Sequence, residues 1–288
     1  ALVRGVTGAG GLTDKASMEI QSQETAERWA PPWWAVFLGG LLLWGATIAV
    51  ARVTHNIILL PTIVLLGSFL VPITAVVWYL DHDPSPALSP RRIVTAFLIG
   101  GVMGVLGASL LEYWLVRSGL IGAFEVGLIE EFVKGVFVVV VALGIHRFHI
   151  RDGMVLGATV GFGFAALESS GYALVSLFVV QGNQLILSLN SVIFTELVRG
   201  VLAPVGHGLW SALLGGAIFA AARPGRLRLT WVILGTYLLV STLHGAFDST
   251  SSILGYVAIS LIGLIPSIWL WRRGDAGGVL ERRRPSVV

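Results

Sequence analysis

The chain contains no cysteine and few charged residues. Of its 288 residues, 12% are Asp, Glu, Lys or Arg, whereas 55% are hydrophobic. The lack of cysteine excludes a disulfide framework, a thiolate metal site and a cysteine nucleophile. A mean hydropathy of +0.85 with so little charge lies far outside the range of soluble globular domains. The composition therefore indicates a polytopic membrane protein.

Several familiar hydrolase signatures are also missing. The sequence has no HExxH metalloprotease motif, no GxSG serine elbow, and no YD with GxGD pair of a membrane aspartyl protease. Residues 1–32 are polar and lack the apolar core of a signal peptide, so we predict a mobile cytoplasmic tail there. The missing motifs rule out these familiar classes of hydrolase.

Eight apolar segments each approach the roughly 20 residues that a bilayer-spanning helix requires. We therefore predict an all-α bundle of about eight transmembrane helices, forming a single domain over residues 33–272 with a basic cytoplasmic tail at 273–288. The shorter segment Leu185–Gly200 is more polar and is predicted to be a helix at the outer interface. The predicted spans are Trp33–Ala51, Ile57–Leu80, Ile93–Val116, Gly122–Ile145, Gly153–Val180, Val201–Ala222, Trp231–Asp248 and Ile253–Trp271.

The basic residues indicate the orientation of the bundle. Most of the 19 Lys and Arg residues fall on the side of the predicted spans that holds both termini. This bias predicts that both termini are cytoplasmic. The formal charge of +3 does not indicate nucleic acid, because the basic residues are spread over the membrane flanks; the predicted partner is the lipid bilayer.

The fourth predicted span carries three charged residues, Glu130, Glu131 and Lys134. A charge at the centre of a membrane helix costs roughly 2.5 to 3.5 kcal/mol, so such residues indicate a functional site. The two glutamates point in directions about 100° apart. Lys134 follows them by four and three residues and is expected to pair with one and leave the other free. The alternative is a structural salt bridge that holds two helices together.

Three other predicted spans bring ionisable residues to a similar depth. Glu168 lies in the fifth span, His207 follows a predicted kink near Pro204 in the sixth, and His244 precedes Asp248 by four residues in the seventh, so that the last two share one helix face. The sequence therefore predicts one water-accessible cluster in the outer half of the membrane.

Two histidines and a glutamate form a catalytic zinc set that leaves one position for water, and a second glutamate can act as general base. The predicted zinc ligands are His207, His244 and Glu131. Without metal, a glutamate could activate water while the histidines stabilise the oxyanion. Both mechanisms predict hydrolysis, and the sequence leaves the choice between them open.

Each of these residues also has a structural interpretation. The histidines could form hydrogen bonds between helices, and Glu168 could be satisfied by neighbouring serines. Glu112 and Glu125 are predicted to be solvated, and Glu196 to form a surface pair with Arg199, although Arg199 could instead orient the site. The glycines are predicted to form a face for close helix packing; they are Gly157, Gly161 and Gly163.

Four motifs resemble one known family. EEFVK begins at Glu130, DGMVLGATVGFGFAALES at Asp152, RGVLAPVGHGLW at Arg199 and HGAFD at His244. Together they resemble the PrsW family of intramembrane proteases, which belongs to a wider group with the CAAX prenyl endopeptidases and the Aph subunit of gamma-secretase. The resemblance implies site-1 cleavage of a single-pass anti-sigma factor in envelope stress signalling, in a bacterial or archaeal plasma membrane.

The resemblance also implies an active-site set and a group of supporting residues. The implied active-site residues are Glu130, Glu131, Glu168, His207, His244 and Asp248, and the implied supporting residues are Lys134, Asp152 and Arg199. Two other classes of function stay open. A non-catalytic scaffold of the Aph type would keep the histidines as interhelical hydrogen bonds. An ion-coupled transporter would also place ionisable groups inside the membrane, but it predicts internal repeats, and the sequence shows no convincing repeat.

Overall fold

The structure is a computed structural model that describes residues 31–82, 85–116, 120–202, 204–222 and 226–282. Apart from one short hairpin, its regular elements are helices, which confirms the all-α prediction. Most of the predicted N-terminal tail, and the last six residues of the predicted basic tail, lie outside the described residues.

The helices are numbered here in chain order, and a 3-10 turn at Ile57–Leu59 precedes the second. They are α1 Trp33–Thr54, α2 Leu60–His82, α3 Pro90–Leu115, α4 Leu120–Ala142, α5 Ile150–Ser176, α6 Leu189–Leu202, α7 Leu209–Ala221, α8 Trp231–Ser249 and α9 Ile253–Arg282. The final helix thus extends beyond the predicted end of the last span at Trp271.

Six helical segments in the described part of the chain are long and apolar enough to cross a membrane. They are α1, α2, α3, α5, α6 together with α7, and the first part of α9. The two remaining predicted spans also form helices, α4 with 23 residues and α8 with 19. Helix α4 is as apolar on average as α1 but carries Glu130, Glu131 and Lys134, and α8 carries His244 and Asp248. At 1.5 Å per residue, both are close to the ~30 Å thickness of a hydrocarbon core.

The predictions were wrong between residues 177 and 188. The fifth span was expected to reach Val180, and Leu185–Gly200 was expected to form an interfacial helix. Instead, α5 ends at Ser176 and is followed by an antiparallel hairpin of β1 (Phe178–Gln181) and β2 (Gln184–Leu187). The reason is a two-residue turn at Gly182, where φ is +61°, flanked by β-branched and aromatic residues that favour strands. Helix α6 then runs back into the bundle.

Small residues bring the helices that carry the predicted site into close contact. A Cβ atom on Gly157 of α5 would overlap the backbone of Ser211 in α7, and one on Gly161 would overlap the carbonyl oxygen of His207. Between α4 and α8, a Cβ atom on Gly127 would lie 2.5 Å from the carbonyl oxygen of Ser241. These contacts confirm that Gly157 and Gly161 serve close packing. They also fix the distance between the helices that carry His207, Glu168, Glu130 and His244.

The chain breaks between α6 and α7, as the sequence predicted near Pro204. Gly206 has φ −95° and ψ −109°, which is not a helical conformation. Because of this break, His207 is not part of a continuous helix, and its side chain contacts Glu168 and Phe164 of α5. Below it, Trp210 and Val160 belong to the buried apolar cluster that α4, α5, α7 and α8 share. The site therefore lies on a rigid apolar core.

Candidate active site in the membrane

The buried ammonium group of Lys134 lies at the centre of the predicted cluster. Its Nζ atom is 3.0 Å from Oε2 of Glu130, 2.8 Å from Oε1 of Glu131 and 2.8 Å from Nδ1 of His207. Its side chain has 0% exposure. The expectation that Lys134 leaves one glutamate free was wrong, because the two neighbouring carboxylates bend toward the same ammonium. All three of its N–H donors are used.

The environment of His207 defines its tautomer. Because an ammonium group can only donate, Nδ1 of His207 must accept the hydrogen bond from Lys134. The proton of a neutral ring is therefore on Nε2, which donates to Oε2 of Glu168 at 2.9 Å. Glu168 thus fixes the orientation of the imidazole.

Arg199 in turn holds Glu168. Its Nη2 donates to Oε2 of Glu168 at 2.7 Å, and its Nε donates to Oγ of Ser169 at 2.7 Å. The guanidinium group also lies 4.3 Å from the ring centroid of Tyr172. Helix α6 therefore clamps the end of α5 that carries Glu168, which supports the interpretation of Arg199 as an orienting residue.

His244 has carboxylates on both sides of its ring. Nδ1 lies 3.0 Å from Oε1 of Glu131, while Nε2 lies 3.3 Å from Oδ2 of Asp248 and 3.6 Å from Oε2 of Glu130. The ring is 1% exposed and packs against Trp210 with ring centroids 4.9 Å apart. Nε2 of His244 therefore points into the space that Glu130 and Asp248 share.

The cluster opens toward solvent on one side. The side chain of Asp248 is 41% exposed, whereas those of Glu131 and Lys134 are fully buried. Glu168 and His207 have intermediate exposures of 19% and 12%. Water can therefore reach the cluster from the side of Asp248 and Glu168, whereas Glu131 and Lys134 lie on its buried side.

The structure brings together every predicted site residue except Asp152. That residue lies in the first turn of α5, 16 residues before Glu168 and thus about 24 Å away along the helix. Its carboxylate is instead near the positive end of the helix dipole. Asp152 is buried there, at the opposite end of α5 from the cluster.

Glu196 does not lie where the sequence predicted. It was predicted to pair with Arg199 at the surface, but it is 3% exposed and accepts a hydrogen bond from Oγ of Ser68 at 2.8 Å. Ser68 lies 128 residues earlier in the chain, so no local pattern could reveal this contact. Glu112 and Glu125 are part-buried rather than fully solvated.

Three residues of the cluster can offer ligands to a metal ion: Glu130, His207 and His244, whose ligand atoms all lie within 4.8 Å of one another. Oε2 of Glu130 is 3.8 Å from Nδ1 of His207 and 3.6 Å from Nε2 of His244. Two ligands of a tetrahedral zinc ion with bonds of 2.0–2.1 Å lie about 3.4 Å apart, so a small contraction would complete the site. The set contains Glu130 where the sequence predicted Glu131, because Oε2 of Glu130 faces one nitrogen of each imidazole, whereas Glu131 contacts the opposite nitrogen of His244.

The charges of the cluster also fit a divalent cation. Four carboxylates, those of Glu130, Glu131, Glu168 and Asp248, face the two cations Lys134 and Arg199. The carboxylates outnumber the cations by one if His244, which has carboxylates at both ring nitrogens, is an imidazolium, and by two if it is neutral. Excess negative charge in a largely buried site is costly unless a cation balances it. In addition, each histidine has a carboxylate on the ring nitrogen that points away from Glu130, as in carboxylate–histidine–metal sites.

Comparison with known proteins supports this interpretation. Residues 89–271 match the sequence model of the family described as PrsW family intramembrane metalloprotease. The chain belongs to this family. The match begins just before α3 and includes every residue of the cluster, so the predictions of an intramembrane protease and of a multi-pass membrane protein are confirmed.

One relative illustrates the similarity. The chain is 26% identical to Protease PrsW of Geobacillus kaustophilus (strain HTA426) over 191 residues, which cover 64% of this chain and 78% of that PrsW protein. No solved structure matches the chain at a significant level. The family description implies a metal, and the Glu130, His207 and His244 group provides donors for one.

Proposed function

We propose that this PrsW family member hydrolyses a peptide bond of a single-pass membrane protein, such as an anti-sigma factor, near the extracytoplasmic face of a bacterial or archaeal plasma membrane. The observation that supports this proposal most is the paired orientation of the two imidazoles. His207 is held by Glu168 and His244 by Glu131, at 2.9 and 3.0 Å, and the other nitrogen of each ring faces Glu130.

In this proposal Glu130, His207 and His244 would hold a divalent cation, and their two nitrogens and one oxygen suit zinc. When bound, zinc would polarise the carbonyl group of the scissile peptide bond and activate a water molecule, for which one coordination position stays free. Glu168 and Glu131 keep the imidazoles in their neutral tautomers with the free nitrogens directed inward. Arg199 holds Glu168 in place.

Asp248 is the most exposed carboxylate of the cluster. It lies beside Nε2 of His244, at 3.3 Å, and 41% of its side chain is exposed. A group in this position can accept the proton of the attacking water and return it to the leaving amine. Glu130 and Glu131 are less suited to this step, since Lys134 already binds both of them at the buried floor of the site.

Lys134 contacts two of the three proposed ligand atoms, Nδ1 of His207 and Oε2 of Glu130, and would compete with a metal ion most directly for Nδ1. The lone pair on Nδ1 of His207 accepts the hydrogen bond from Lys134 at 2.8 Å, and the same lone pair would be needed as a ligand. Lys134 would have to release His207 on metal binding, while it could keep its bond to Glu131. In a metal-free mechanism, by contrast, Lys134 would retain all three partners, and a carboxylate of the cluster would act on water without a metal ion.

The decisive experiment combines cleavage with metal analysis. The purified protein in nanodiscs is incubated with a panel of single-pass membrane proteins, before and after chelation and after addition of zinc. Loss of cleavage on chelation and its return with zinc would support the metal mechanism, whereas cleavage that survives complete removal of metal would support activation of water by glutamate.

The His244→Ala variant tests the proposal of hydrolysis at this site. Cleavage must disappear while the protein stays folded; full activity of this variant would refute the proposed site. If the wild type cuts no membrane protein and Glu130→Ala only lowers its stability, a scaffold of the Aph type becomes the better interpretation.

A further inference from the structure

A cavity lies between α7, α8 and α9, and its opening is at the end of these helices that points away from the active site. Its volume is about 610 Å³, and its walls include Leu213 and Ala217 from α7, Leu239 from α8, and Pro266 and Leu270 from α9. Its rim includes Thr230, 14 residues before His244 and thus about 21 Å from it along α8. The mechanism proposed above makes no use of this cavity.

Two arginines lie at the rim of this apolar cavity. Arg228 precedes α8 and Arg273 is on α9; both are exposed and both line the cavity. The guanidinium group of Arg273 lies 5.1 Å from the ring centroid of Trp269, which also lines the cavity and is 57% exposed. An exposed tryptophan beside a basic residue is typical of the level of the lipid headgroups.

The cavity has apolar walls, and the charged side chains that line it are all positive. Its lining residues, all within the described part of the chain, include two arginines and no acidic side chain. A purely apolar occupant, such as the side of a helix, gains nothing from two guanidinium groups. A phosphate does gain, because the forked donors of arginine match its oxygens. The volume falls in the range of about 300–1,000 Å³ in which proteins bind small ligands.

We propose that this cavity binds an anionic phospholipid of the leaflet on the arginine-rich side of the membrane. The headgroup phosphate lies between Arg228 and Arg273, and the upper part of one acyl chain lies against Leu213, Ala217 and Leu239. A lipid with a net negative charge is preferred over a zwitterionic one, because the cationic headgroup of the latter faces two arginines. Basic pockets between membrane helices on the cytoplasmic side bind anionic headgroups in this way.

Lipid binding can be measured directly. The protein is delipidated in a neutral detergent and titrated with phosphatidylglycerol or phosphatidylcholine, and bound lipid is counted by native mass spectrometry. We expect phosphatidylglycerol to bind at least fivefold more tightly than phosphatidylcholine, and this preference to disappear in the Arg228→Gln/Arg273→Gln double variant. The matched control is Arg91→Gln/Arg147→Gln, which removes the same charge from two exposed arginines outside the cavity and should keep the preference.

A third variant separates the cavity from general attraction between charges. Ala220 lines the cavity from an exposed position, so Ala220→Phe should obstruct part of it without disturbing the core, and should reduce binding while both arginines remain. Equal binding of the two lipids by the wild type would overturn the proposal. So would an equal loss in the control double variant, or undiminished binding by both the Arg228→Gln/Arg273→Gln and the Ala220→Phe variants. Melting temperatures without added lipid show whether each variant is folded.

Discussion

Nζ of Lys134 lies 2.8 Å from Nδ1 of His207, so the charged end of one buried side chain is joined to the ring of another that lies 73 residues away. The same ammonium also forms ion pairs with Glu130 and Glu131. In the structure, therefore, Lys134 is the cation that holds together three residues of the cluster. Its removal should affect stability and metal binding in opposite directions.

Lys134→Met should lower the stability of the metal-free protein and leave its affinity for zinc equal or higher. Removing one partner of a buried ion pair typically costs about 3–5 kcal/mol, because the remaining charges lose their partner. At the same time, the lone pair of His207 is no longer shared. The measurement is thermal unfolding with and without chelator, together with calorimetric titration of zinc into the metal-free protein.

The control for this variant is Val136→Met, a change to the same residue at an exposed position of the same helix. It should alter neither quantity. If Lys134→Met were as stable as the wild type after chelation, the role of Lys134 as the internal counter-cation would be wrong.

Glu130 and Glu131 should differ in their effects on metal content. Glu130 belongs to the group that could hold the ion, whereas Glu131 contacts Nδ1 of His244 and Lys134. Glu130→Gln should therefore remove most of the bound metal. Glu131→Gln should retain metal with an affinity lowered about 10–100-fold, as is usual for residues that orient a ligand. Metal analysis after dialysis against zinc buffers of defined free concentration distinguishes the two, and the reverse order would assign the ligand to Glu131.

Arg199→Lys should reduce cleavage with a small loss of stability. Arg199 uses two different nitrogens, Nη2 for Glu168 and Nε for Ser169, both at 2.7 Å, and lysine cannot reproduce this planar arrangement. Glu168 would then orient His207 less firmly, and we expect at least a tenfold decrease in kcat with KM little changed. Arg52→Lys, at an exposed arginine that bonds Asn190, is the matched control. Unchanged kcat in Arg199→Lys would show that Glu168 is positioned without it.

Ser68→Ala should destabilise the bundle and leave the chemistry unchanged. Oγ of Ser68 donates to Oε1 of the buried Glu196, and leaving a buried polar group without its partner costs about 1–3 kcal/mol. Glu196 does not contact the catalytic cluster through any hydrogen bond or ion pair that the described residues show. Cleavage per folded molecule should match that of the wild type, and a selective loss of activity would connect Glu196 to the site.

The parts of the structure that the sequence predicted are those that depend on depth and helical spacing. Glu130, Glu168, His207 and His244 could be assigned to one level because each lies a countable number of residues from the end of an apolar span. The pairing of Glu196 with Ser68 could not be predicted, since it depends on which helices are neighbours. Nor could the choice of Glu130 over Glu131 as a candidate ligand, because it depends on the rotamers through which both glutamates reach Lys134.

Gly161→Ala should reduce activity although Gly161 is not itself a residue of the cluster. A Cβ atom on Gly161 would overlap the carbonyl oxygen of His207 and approach Oγ of Ser211 at 2.8 Å, so α5 and the turn that carries His207 must move apart. His207 would then shift away from both Glu168 and Glu130, and we expect reduced metal affinity and at least a tenfold loss of cleavage. The matched control is Gly171→Ala on the same helix, where an added Cβ atom meets nothing within 4 Å. That change should keep full activity. It should also raise the free energy of unfolding by about 0.5–1 kcal/mol, because alanine lowers the conformational entropy of the unfolded chain. Equal activities of the two variants would show that the contact at Gly161 does not determine the position of His207.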